Sequence, residues 1–473
     1  MPPQPQPPMH IAIIGAGITG ATLAIGLARR GVSFSVYEQS ASPTELGAGL
    51  GFGPNAARAM RIVDEKLWAA FMARSTRRDL READPRRGAN GERNGGDGLK
   101  KWDEEGRPLA VQGEGEIEEP VWIEFLDGTA DVDARELAPA FRVFARFGDG
   151  HGAVHRARWL EVLMGMVPDG VVQFGKRLAG IEDKGDRVVL RFEDGTTAEA
   201  DAVVGCDGVK SKVREVVVGG PEKEAARCGY SGKYAYRCMI PMEKAMEEVG
   251  RDRAGCTSLW MGHGRHLLTF PVGEDGPGQL LNLVAFVTDS NENWPIKDAR
   301  SLTLPATRDD ALRDFEQGGF GKSWGLFDLA AHPLPTFYAG RVLVIGDAAH
   351  ASTPHHGSGA GFCMEDVAVL TSLLEELASI DDAAARDVGH AIRSVFAAFD
   401  ASRRERDQWL VQSSRRAADL YEWRLPNTGR EHFEAMRKDI QGRQAVCWGI
   451  DLDAAVAEAK ADLRRRLSGD VKA

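Results

Sequence analysis

Apolar and polar positions along the chain follow two different rhythms. Ile11 to Ile14 is a short apolar run with β-branched residues, bounded by glycine, the pattern of a strand buried on both faces. Ile18 to Arg30 carries apolar residues at helical spacing and ends at Gly31; Phe34 to Tyr37 is a second short strand with Glu38 at its carboxyl end. Ala202 to Gly205 and Arg341 to Ile345 repeat the buried-strand pattern much later. Between them lie strands of a second kind. Val121 to Phe125 and Phe141 to Phe147 open a second region, and Val171 to Phe174, Val188 to Phe192 and Thr197 to Ala200 predict a meander with a turn at Glu193-Asp194-Gly195. Lys233 to Ile240, Leu267 to Val272 and Leu280 to Val287 predict a mostly antiparallel sheet. Helical spacing covers Asn55 to Leu67, His155 to Met166, and the stretch from Gly361 to Leu420; the end, to Ala473, is charged and amphipathic. Glu45 to Asn55 is so glycine-rich that it predicts a loop wrapping a ligand.

Gly15, Gly17 and Gly20 stand between the first strand and first helix at G-x-G-x-x-G spacing. Such glycines serve a tight turn, a close approach of backbone to a pyrophosphate, and close packing of helix on strand. The helix N-terminus presents N–H groups and a positive dipole end to phosphates, and Glu38 is placed to accept from ribose hydroxyls. Strand, turn, helix, strand and acid in register predict dinucleotide binding. Because strands of this type recur near 202 and 341, the expected fold is α/β: a Rossmann-type nucleotide domain in separated segments, with an inserted antiparallel sheet domain and a C-terminal helical region. The expected segments are 9–82, 152–220 and 322–400 for the nucleotide domain, and 83–151 with 221–321 for the substrate domain. Residues 401–473 form the helical region.

Composition narrows this picture. A net charge of −11 argues against nucleic acid or an anionic membrane as partner. None of the six cysteines forms C-x-x-C or a metal-ligand spacing, so no metal is expected and reduced thiols point to the cytoplasm. No apolar run reaches the roughly 18 residues of a membrane helix. Residues 1–8 are a proline-rich tail with no basic segment, and 83–115 are a charged, glycine-rich insertion expected to be flexible.

Two later motifs carry more information than the first. They are DAVVGCDGVKSKVR, Asp201 to Arg214, and RVLVIGDAAHASTPHHGSGAGFCMED, Arg341 to Asp366. With these the chain resembles the single-component FAD-dependent aromatic hydroxylases, whose fold is that of para-hydroxybenzoate hydroxylase. Within them it is most similar to salicylate hydroxylases and fungal hydroxylases of phenolic polyketides. The resemblance implies non-covalent FAD, NADH or NADPH as transient reductant, and O2. It implies hydroxylation of a small phenolic or salicylate-like ring through a C4a-hydroperoxyflavin, by a monomer or homodimer. Asp347 would accept from the ribityl chain, and Gly359, Ala360 and Gly361 would open a helix facing the flavin. By resemblance Gly51 and Arg156 also contact FAD, and Asp207 lies near the pyrophosphate. The alternatives are a surface helix charge for Arg156 and a strand-end turn for Asp207.

Alternation puts Arg237 on the opposite sheet face from Tyr234 and Tyr236. By resemblance to phenol-dearomatising members, Arg237 holds the phenolate; the alternative is a structural ion pair. Phe270 stands where such members can carry Tyr, and is read as a pocket wall, as is Tyr236. His355 resembles a position proposed as base in salicylate hydroxylases, against a packing role; His350 reads as structural. An indole or alkene epoxidase on the same scaffold, an amine or alcohol oxidase, and a non-catalytic flavin-binding protein are the other readings.

Overall fold

Ile11 to Ile14 are buried on both faces, and an all-apolar strand of that kind is stable only at the centre of a covered sheet. The computed structural model, which describes residues 9–42, 49–75, 121–144, 152–273, 278–289, 294, 302–315, 322–380 and 387–469, puts it there. His10–Ile14 pairs in parallel with Ala202–Gly205 on one side and Ser33–Tyr37 on the other. Val342–Val344 extends the sheet past Ala202–Gly205, and Tyr338–Ala339 closes that edge antiparallel. The opposite edge is Val172–Gln173, which pairs with Val36 and Tyr37. Its sequence neighbourhood assigned this strand to the meander; the true third strand of the meander is Leu178–Asp183.

Helices Ile18–Arg29, Pro54–Val63 and Gly359–Ser379 pack with this sheet in one apolar core. The helix expected over 55–67 is two: Asp64 leaves helical geometry, and its carboxylate accepts from Lys66 N at 2.6 Å to cap Glu65–Arg74. The expected ligand loop is partly regular as well. Gly49–Phe52 is a strand paired antiparallel with Gly152–His155; residues 43–48, like the tail 1–8 and the insertion 83–115, lie outside the described residues.

The second sheet has eight strands, in the order Thr303–Pro305, Lys322–Asp328, Gly229–Pro241, Leu280–Thr288, Arg265–Val272, Ser258–Gly262, Val121–Asp127 and Phe141–Phe144. All neighbours are antiparallel except Ser258–Gly262 with Val121–Asp127. Lys322–Asp328 belongs here, although the expected boundary at 322 gave it to the nucleotide segments.

The long helix Val388–Tyr421 is joined to Gly359–Ser379 by buried charge. Arg403, 1% exposed, reaches Glu365 at 2.6 Å, Asp366 at 2.8 Å and Asp407 at 2.5 Å. Asp366 also accepts from Gly346 N at 2.9 Å and contacts His350 Nε2 at 2.7 Å. A buried guanidinium is tolerated because three carboxylates pair with it at close range, which offsets the cost of taking all four charges out of water. The network fixes the Gly346-Asp347 turn from behind.

Candidate active site

A cavity of about 960 Å³ lies where the carboxyl ends of the parallel strands face the large sheet, the position in which open α/β sheets take ligands. Its nucleotide end is built from backbone. Gly15, at φ +99°, turns the chain so that its N–H bonds Tyr37 O at 2.8 Å, and a Cβ there would stand 2.6 Å from Cys206 O. Gly17 caps the N-terminus of Ile18–Arg29 without a side-chain partner, and nothing lies within 4 Å of where its Cβ would be. Gly51 is equally bare, and both line the cavity. Gly20 does not line it; a Cβ would meet Gly15 O at 1.9 Å, so its role is close packing of helix on turn.

Glu38 lines the cavity and accepts from Ala16 N and Ser40 N, both at 2.8 Å. A carboxylate has about four acceptor positions, so two remain for a ligand. Asp207 accepts from Ser211 Oγ and Lys212 N at 2.6 Å and Val213 N at 3.1 Å; burial still pushes its carboxyl up. Asp347, Gly359, Ala360 and Arg156 all reach the cavity. Gly361 does not: its missing side chain faces Asn55 Nδ2 at 3.1 Å, so it serves helix packing rather than cofactor contact.

The sheet end follows from strand register. Arg237 lies opposite Val284, which lies opposite Leu268; the next row is Met239, Asn282 and Phe270, and the row before it Ala235, Phe286 and His266. One face of these rows supplies Arg237, Leu268, Phe270, Asn282, Val284 and Phe286 to the cavity. Burial, and then the positive charge of Arg156, lower the Arg237 guanidinium to about 10, so it remains a cation at neutral pH. Tyr236 is on the other face. Its hydroxyl, like that of Tyr234, donates to Asp314, at 2.6 and 2.7 Å. The expectation that Tyr236 walls the substrate pocket is therefore corrected, for the same alternation that brings Arg237 in turns Tyr236 out.

His355 is also displaced from its expected role. It is buried behind Phe286, 4.9 Å between ring centres, and beside His266 at 5.3 Å, and it is absent from the cavity wall. Burial, and then His266, hold its imidazole well below the usual histidine value. It is a neutral packing residue, not a base in contact with the cavity. His266 itself bonds Glu422 at 3.1 Å, and Lys233 reaches Glu422 at 2.6 Å and Asp419 at 3.0 Å. Burial pushes Glu422 up, but His266 and Lys233 outweigh it and keep the carboxyl well below its ordinary range. Two buried clusters have the composition of metal sites, His266–His355–Glu422 and His350–Asp366–Asp407. Lys233 already neutralises the first and Arg403 the second. His350 is structural as expected: burial lowers its imidazole, but Asp407 and Asp366 raise it to about 9.

Sequence reasoning missed Asn282, Lys176, Arg177, Lys210 and Lys212 among the lining residues. Asn282 had a signal, as the one amide in the apolar run LLNLVAFVT. Lys176 and Arg177 had none, because the meander's packing brings them in; Arg177 bonds Gln39 at 2.5 Å and Lys176 bonds Asp194 at 2.7 Å.

The bare backbone at Gly17 and Gly51, the uncapped helix N-terminus and the free acceptor positions of Glu38 fit a dinucleotide cofactor such as FAD. A family profile described as FAD dependent oxidoreductase matches residues 10–242, and one described as FAD binding domain matches residues 306–413. The chain is 37% identical to the FAD-dependent monooxygenase pigN of Monascus ruber, over 98% of each chain. It is 35% identical to a salicylate hydroxylase of Sarocladium schorii, over 98% of this chain and 93% of that one. Among solved structures, a salicylate hydroxylase substrate complex superposes with a TM-score of 0.72 at 26% identity, over 96% of this chain and 98% of that one.

Proposed function

The chain belongs to the FAD-dependent monooxygenases, and we propose that within them it hydroxylates a phenolic or salicylate-like ring at the expense of NAD(P)H and O2. The observation that carries this reading is a cation set in an apolar, partly aromatic wall: Arg237 beside Leu268, Phe270, Val284 and Phe286 at the sheet end of the cavity. When bound, FAD supplies the redox chemistry, taking electrons from a nicotinamide and activating oxygen.

The protein's own residues do the rest. Gly15, Gly17, Gly51 and the first turn of Ile18–Arg29 would hold the pyrophosphate, Glu38 the ribose, and Asp347 the ribityl hydroxyls. Ala360 and Gly359 bring the N-terminus of Gly359–Ser379 to the cavity, where its dipole favours negative charge. Arg237 binds the anionic oxygen of the substrate. A phenolate is far more electron-rich than a phenol, and a charge-assisted contact in a water-poor pocket favours the ionised form by roughly 1.5–3 kcal/mol. Phe270 and Phe286 stack or wedge the ring, restricting it to one approach and excluding water.

The test is oxidation of NADH and of NADPH by the FAD-loaded protein against phenols, salicylates and indoles, with products identified by mass. The reading predicts substrate-dependent oxidation and a product heavier by one oxygen with phenols or salicylates. Oxygen transfer to indoles alone would refute it.

A further inference from the structure

We infer that Asn282 is a substrate-recognition residue, and that the ring held by Arg237 carries a second, neutral oxygen acceptor such as a carbonyl. This rests on the aromatic-hydroxylase reading above and names the substrate class more closely. Asn282 is 2% exposed, yet it lines the cavity, and its amide nitrogen makes no hydrogen bond to any described residue. An unsatisfied buried amide is costly, and a strand whose other residues up to Val287 are Leu, Val, Ala and Phe would lose nothing by an apolar residue there. The donor is therefore placed for a partner that arrives with the ligand.

Its position specifies what that partner is. Val284 is directly opposite Arg237, and Asn282 is two residues along the same strand on the same face. Diagonal neighbours of this kind are about 7–8 Å apart, close enough for both side chains to reach one small substituted ring. Phe270, directly opposite Asn282 on the next strand, supplies the flat wall beside it. A cation at one end and a neutral amide at the other match a monoanion with one charged and one uncharged oxygen. A ring with only an alkyl substituent would leave the amide unpaired.

The experiment compares the ortho, meta and para hydroxybenzaldehydes with the three cresols, the same rings with methyl in place of formyl. Dissociation constants are read from perturbation of the flavin absorbance in the FAD-loaded protein, for wild type and Asn282→Leu, with Asn282→Ala as a second variant should the first not fold. At least one hydroxybenzaldehyde should bind wild type more tightly than its cresol. The substitution should cut that ratio about 5- to 150-fold, the equivalent of leaving one buried polar partner unpaired. The greater acidity of the aldehydes cancels, because it is the same for both proteins. Asn282→Leu should also retain FAD and unfold no earlier than wild type on heating, which a structural amide would not allow. A ratio that survives the substitution overturns the inference while leaving aromatic hydroxylation standing. If no phenol perturbs the flavin or stimulates NAD(P)H oxidation in wild type, the hydroxylase reading falls and this inference with it.

Discussion

Gly17 and Gly20 belong to one motif, yet alanine at the two positions should act in opposite directions on the apoprotein. Gly17 has φ −68° and ψ −173°, which any residue adopts, and an added Cβ meets nothing within 4 Å. Gly17→Ala therefore removes freedom from the unfolded chain without strain, worth about 0.4–1 kcal/mol of added stability. The same methyl would project into the cavity where the proposed function seats the pyrophosphate. Overpacking of that kind costs roughly 1–3 kcal/mol, about 5- to 150-fold in FAD affinity. Gly20 is different. Its Cβ would lie 1.9 Å from Gly15 O and 3.0 Å from Gly15 C, against backbone rather than a side chain that can turn away. The helix would have to withdraw by about an ångström. Replacing helical Gly by Ala recovers about 1 kcal/mol, but overpacking of 1–3 kcal/mol or more exceeds it, so the apoprotein should be destabilised and FAD binding lost as well. The assay is urea unfolding of both apoproteins, followed by titration with FAD. Equal apoprotein stability for the two variants, or full FAD affinity in Gly17→Ala, would refute the division of roles between these glycines.

Three further outcomes follow from the geometry. Arg237→Ala should keep FAD but lose about 10- to 150-fold in product formed per substrate bound, with hydrogen peroxide rising in parallel; Arg237→Lys, which keeps charge but not the planar fork, should be impaired too. Arg403→Leu should cost about 3–5 kcal/mol in urea unfolding, since Glu365, Asp366 and Asp407 would remain buried without their shared cation; a loss below 1 kcal/mol would show that water enters the network. Burial, and then Arg443, lower the His356 imidazole from 6.5 to about 4. The unfolded chain takes up the proton first, so this contribution is complete above pH 6.5 and lost as pH falls towards 4. Between pH 7 and 5 it amounts to about 2 kcal/mol, which His356→Gln should remove from the pH dependence of unfolding.

The local grammar of the first strand, turn and helix was legible because each signal acts over a few residues. An unbroken apolar run calls for a covered parallel strand, and Gly15 at φ +99° and Gly20 against Gly15 O are demands of backbone sterics alone. Alternation in the strand around Arg237 determined that it and Tyr236 face opposite ways, although only the packed sheet shows which face is the cavity's. The repeated buried-strand pattern near 11, 202 and 341 announced that these distant segments share one sheet, but which side chains meet across the packed elements was beyond the sequence. His355 sits three residues from the cavity-lining Ser352, but the stack on Phe286 and His266 turns it inward. Gly361 follows two cavity residues, but one further step around the helix carries it from the cavity to Asn55. Arg403 and Asp366 are 37 residues apart, and nothing in the sequence pairs them; only the docking of the two helices desolvates both and makes them a single buried network. Asn282 was a polar residue in an apolar strand that sequence reasoning passed over, and only the tertiary fold placed it on the cavity wall.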